Sequence, residues 1–262
     1  MPRIIAIAGM STATLLALTV GMLFFLKRSG DRRANYLYGT LLLTGGFTQA
    51  HFLLEFAGFF VTRPWLKYLP IYFSLWLPVL LFSHVKISLF PAYRFRWSDL
   101  KHLSLPVGQT LYFIGIWLFP AFRHEAGRYF YNPFYGGLEQ ALFLAGWPLY
   151  VIFSYLYLRQ RRRALRGRGL PRLLWYLRKL LKGVVLFMLA YTVLSLADFF
   201  AHHFNVADFR GQGWYVAAQA LSYTSLLLWL CAYGVQVLVW GRRLVAAEIE
   251  RGKGARPRVP ER

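Results

Sequence analysis

Two histidine and carboxylate pairs interrupt otherwise apolar runs of this chain: His51 with Glu55, and Asp198 with His202, the latter inside SLADFFAHHF at 195–204. A four-residue spacing puts each pair on one face of a helix, one turn apart. Ionisable groups in apolar spans cost roughly 2.5 to 3.5 kcal/mol each on insertion scales, so they mark candidate sites. Gln49, Glu139 and Gln140 add polar groups, and Phe52, Phe56, Tyr191 and Tyr223 offer aromatic walls.

Three chemistries compete for these residues. The first is a ligand pocket in which Gln49, His51, Glu55, Glu139, Asp198, His202 and Tyr223 orient a small apolar or amphipathic molecule. No resident cofactor is expected on that reading. In the second, His51, Glu55, Asp198 and His202 ligate zinc, which would activate water for hydrolysis of a lipid amide or ester. Those ligand types resemble the sites of seven-span ceramidases and of the progestin and adiponectin receptors, but the histidine pair at i, i+4 of those proteins is missing. His202 and His203 are adjacent and point about 100° apart on a helix. In the third, the groups lie at the water interface or bond to neighbouring helices within a structural subunit of a membrane complex.

The elements that must position these residues follow from composition. At 57% hydrophobic and 19% aromatic, the 262 residues are too apolar for an ordinary water-soluble domain. The net charge of +21 lies between long apolar runs, not on a soluble basic patch, so nucleic acid is not an expected partner. A spanning helix needs about 20 apolar residues. Seven such runs are expected, at 4–26, 36–60, 68–90, 103–121, 138–158, 183–204 and 214–240. The fold class is therefore an all-α integral membrane protein with seven transmembrane helices. The first run is too long for the apolar core of a cleavable signal and reads as a retained span. Pro78 and Pro148 fall inside expected spans and predict kinks.

Of the 31 lysines and arginines, 25 collect in the alternate segments 27–35, 86–102, 159–182 and 241–262. Short cytoplasmic loops hold such an excess, which predicts the amino terminus outside and the carboxyl terminus in the cytoplasm. On that topology the polar groups of the candidate site share an outward-facing level. The aromatic stretches RYFYNPFY (128–135) and GQGWY (211–215) form an outer interfacial belt, or a lid.

In PRLLWYLRKLLK, leucines 173, 174, 177, 180 and 181 recur at helical spacing among Arg172, Arg178, Lys179 and Lys182. That pattern predicts an interfacial helix contacting anionic lipid headgroups, with the start of the sixth span as the alternative. Cys231 stands alone in an apolar run, which excludes a disulfide within the chain. The tail at 241–262 is expected to be disordered.

Two stretches carry a resemblance. Residues 69–113, with Pro78, Arg94, Arg96, Asp99, His102 and Pro106, and residues 150–187, with an arginine-rich turn and a Trp-Leu-Arg helix, resemble the membrane sensor region that precedes the DNA-binding domain in membrane-anchored AraC-type bacterial regulators. The resemblance implies a bacterial inner-membrane sensor module that signals through a cytoplasmic protein partner or as a homo-oligomer. Those regulators continue into paired helix-turn-helix units. Here the chain ends soon after its last expected span, which predicts a stand-alone sensor without DNA binding.

Overall fold

Residues 2–26 carry no proline beyond the first position and no charge beyond Arg3, and they form one helix, α1 (Pro2–Leu26). The computed structural model describes residues 2–122, 137–164, 172–204, 209 and 212–254, and among these it is all helical, with no strand. After α1 come α2 (Arg32–Phe56), the single turn α3 (Phe59–Thr62), α4 (Trp76–Leu89), α5 (Ser104–Leu118), α6 (Gly137–Ala164), α7 (Arg172–His203) and α8 (Gly213–Gly254). Among the described residues four stretches are long and apolar enough to cross a membrane: Arg3–Leu26, Gly137–Ala164, Leu173–Ala201 and Gly213–Val239.

Helix packing closes a ring in the order α1, α2, α4, α6, α7, α8 and back to α1, with α2 also touching α8. The helix α5 lies to one side. Small residues set the closest approach, between α1 and α2. A Cβ on Gly39 would stand 2.9 Å from the Gly21 carbonyl oxygen and 2.8 Å from the Phe25 ring. The core between the helices is filled by Phe24, Tyr38, Leu41, Leu42, Trp147, Leu177, Leu180 and Leu227, each almost wholly buried. Cys231 is buried there as a small apolar residue.

Several expected boundaries move, for physical reasons. The helix over 36–60 ends at Phe56, because Gly58 takes a φ of +87° and its N–H closes back onto the Glu55 carbonyl at 2.9 Å. Glu55 thereby falls in the last turn of α2. The expected span 68–90 is helical only from Trp76, and 69–75 is irregular backbone. Side chains satisfy that backbone: Phe73 N–H donates to Thr48 Oγ1 at 3.0 Å, and Leu75 N–H to Gln109 Oε1 at 3.1 Å. Pro78 accordingly sits in the first turn of α4, where a missing N–H leaves no broken bond, and the kink predicted there has no helix to act on.

The interfacial helix expected at 171–182 is not a separate element. It is the start of the continuous helix α7, and Leu174, Leu177, Leu180 and Leu181 face the core while Leu173 and Trp175 are exposed. The tail also differs, since α8 continues past 240 to Gly254 through GRRLVAAEIE, a run rich in strong helix formers. Residues 255–262 lie outside the described residues.

The linker between α4 and α5 is held by Asp99. Its carboxylate accepts from Lys86 Nζ at 3.2 Å, from the Arg96 N–H at 2.8 Å and from the Tyr93 hydroxyl. Lys86 Nζ also lies 3.8 Å from the Tyr93 ring centroid, and Arg33 ties α2 to this loop through the Tyr93 carbonyl at 2.8 Å. Burial alone would raise the Asp99 carboxyl, but the Tyr93 hydroxyl, the Arg96 N–H and the Lys86 ammonium outweigh it and hold the group down at about 2.

Candidate functional site

One end of the bundle gathers the start of α1, the ends of α2 and α7, and the starts of α6 and α8. The ring of helices does not fill that end. An open cavity of about 820 Å³ lies there, in the size range of small-molecule sites. His51 and Glu55 reach it from α2, Glu139 and Gln140 from α6, Asp198 from α7, and Trp214, Gln219 and Tyr223 from α8. Arg3 stands at the rim, its guanidinium donating to the Phe56 carbonyl at 3.0 Å.

The helix spacing explains the convergence. His51 and Glu55 stand one turn apart on α2, and both line the cavity with Gln219 and Tyr223 of α8. Phe52, Phe56, Tyr191 and Tyr223 all line the cavity, and Phe143, Tyr72 and Trp214 extend the aromatic wall. The rings of Phe52 and Tyr223 meet edge to face at 5.3 Å.

Glu139 is buried, 4% exposed, and it accepts from the Tyr72 hydroxyl at 3.2 Å and from the Ser74 hydroxyl. Gln109 of α5 donates to Ser74 Oγ at 3.0 Å, so α5 supports the site from behind. Both hydroxyl partners come from the irregular segment 69–75. On the far wall Gln140 donates to the Ser195 carbonyl at 3.2 Å and Gln219 to the Ser195 hydroxyl at 3.2 Å, joining α6, α7 and α8.

His51 is 1% exposed, with its Nε2 3.0 Å from the Lys67 carbonyl oxygen. A carbonyl only accepts, so Nε2 carries the hydrogen. The ring is held between Phe60 and Tyr72, at 4.9 Å from each centroid. Among the described residues no group of three or more His, Cys, Asp or Glu stands together as a metal-holding set. The side chains of His202 and His203 lie outside the described residues, so the fourth member of the expected zinc set has no geometry here. The same holds for Arg172, for 128–135 and for 211 in GQGWY.

One expected lining residue lies elsewhere. Gln49 is fully buried one layer further in, donating to Thr224 Oγ1 at 3.0 Å, with its Oε1 unpartnered. Conversely Thr48, Tyr72, Ser74 and Gln109 carry the site's polar framework without having been singled out in the sequence. No local signal singled them out, because a run of apolar residues reads alike whether it forms one helix or a loop and a helix. Comparison with protein-family models, with curated proteins and with solved structures finds no match for this chain.

Proposed function

We propose that the chain is a seven-helix, sensor-like protein of the bacterial inner membrane that binds a small amphipathic ligand in the cavity described above. On this reading the amino terminus and the cavity face outward, α2, α4 and α5 complete the seven spans, and the basic segments face the cytoplasm. Binding would be relayed through the start of α7 to a cytoplasmic partner, in keeping with the resemblance of 69–113 and 150–187 to membrane sensor regions. The observation that carries the reading is the composition of the cavity. Three carboxylates and a histidine from three helices meet an aromatic wall in one open space, which is an arrangement for orienting a ligand, not for packing.

Cysteine accessibility tests the outward-facing pocket. Ala217 lines the cavity, and the sole native cysteine, Cys231, is buried and can be replaced by serine to remove background. In intact cells a membrane-impermeant maleimide should modify Ala217→Cys, and an apolar alcohol such as octanol should slow that modification. Labelling only after the inner membrane is permeabilised would overturn the orientation, and labelling indifferent to octanol would overturn the pocket.

A further inference from the structure

The chain is strongly basic, with 31 lysines and arginines against 10 aspartates and glutamates. Three of those ten acids, Glu55, Glu139 and Asp198, line this one cavity, where Arg3 at the rim is the only lysine or arginine among the described lining residues. Two of the three are nearly inaccessible, Glu139 at 4% and Asp198 at 3% exposure. Burying carboxylates is costly unless a charge or strong donors compensate, and the donors on Glu139 are two neutral hydroxyls. Phe52, Tyr72, Phe143, Tyr191, Trp214 and Tyr223 line the same cavity, and aromatic rings attract cations.

We infer that the ligand carries an ammonium group on an apolar body, with the ammonium facing the Glu139 and Asp198 carboxylates and the body against the aromatic wall. This rests on the ligand pocket proposed above and adds the sign of the ligand's charge. An anionic amphipath would meet three acids and one rim arginine, whereas an ammonium gains charge-assisted hydrogen bonds and ring contacts together. The same group could arrive on a free alkylamine or on the headgroup of an aminophospholipid.

Calorimetric titration of the full chain in maltoside micelles at pH 7, with octylamine, octanol and octanoate, separates these cases. The three share one tail, so differences report the head. Octylamine is expected to bind about tenfold or more tighter than octanol, and octanoate weakest. Glu139→Gln keeps one carbonyl oxygen to accept from Ser74 and turns an amide N–H2 towards the Tyr72 hydroxyl oxygen, and together with Asp198→Asn it should bring the amine to alcohol ratio close to one, with a cooperative thermal unfolding transition as the check that the variant is folded. Equal affinity of amine and alcohol for the wild-type chain would overturn the ammonium assignment and leave the pocket standing, as would a ratio that survives both substitutions. No saturable binding of any of the three would overturn the pocket itself. Doping the micelles with phosphatidylethanolamine assigns the source: competition with octylamine points to the lipid headgroup, and undiminished binding to a free amine, both within the ammonium class.

Discussion

Single residues show how tightly this bundle is built. A Cβ on Gly183 of α7 would stand 2.0 Å from the indole of Trp229, which donates to the Leu180 carbonyl at 3.2 Å. Gly183→Ala should therefore expel the indole and destabilise the protein by about 1 to 3 kcal/mol, seen in thermal unfolding in detergent. Combining it with Trp229→Ala should cost clearly less than the sum of the two changes, because the second removes the clash. Asp99 gives the acid counterpart. Its folded value of about 2 lies below an ordinary aspartate's 3.8, so its contribution to stability is present above 3.8 and is lost as pH falls towards 2. Asp99→Asn should flatten the fall in thermal stability across that window and lower stability at pH 7. At this scale part was legible: helical spacing pairs His51 with Glu55 on α2, and both line the cavity together with Glu139, Asp198 and Tyr223. Tyr72, Ser74 and Gln109 were not, since nothing local in an apolar run says that its first third will be irregular and feed hydroxyls to Glu139.

Elements obey the same logic of close approach. The contact between α1 and α2 depends on Gly21 and Gly39, where backbone meets backbone with no room for a methyl group, as small residues allow between apolar helices. Gly39→Ala should separate the two helices and cost about 1 to 3 kcal/mol. Gly115→Ala in α5 is the control, because nothing lies within 4 Å of the Cβ it would gain, and it should be neutral or stabilise by up to about 1 kcal/mol through helix propensity. Denaturation of both variants in the same detergent checks the contrast. The four long apolar stretches were evident from hydropathy, while the interruption at 69–75 was not, because a run of apolar residues has the same composition whether it is one helix or a loop and a helix. What decides is the partner: Thr48 and Gln109 stand ready for the Phe73 and Leu75 amides, and they lie 25 and 34 residues away in sequence.

At the scale of the whole molecule, charge is divided between the two ends of the bundle. The acids Glu55, Glu139 and Asp198 gather at the cavity end, whereas Arg178 and Lys182 stand exposed at the start of α7, at the opposite end. Leu174, Leu177, Leu180 and Leu181 are committed to the core, so this stretch of helix can meet lipid through Leu173, Trp175 and its charged side chains. Lys179 is a poor probe of that contact. Its ammonium lies 5.5 Å from the Trp175 ring and 5.9 Å from that of Trp229, so replacing it would disturb packing as well as charge. Arg178 and Lys182 are the clean pair. If this end faces an anionic leaflet, each contributes about 1 kcal/mol of attraction, and Arg178→Gln with Lys182→Gln should lower the retention of phosphatidylglycerol about tenfold or more in native mass spectrometry, with unfolding temperature unchanged. Equal retention by the wild-type and doubly substituted chains would remove lipid binding from the basic end and leave orientation as the work of its charge.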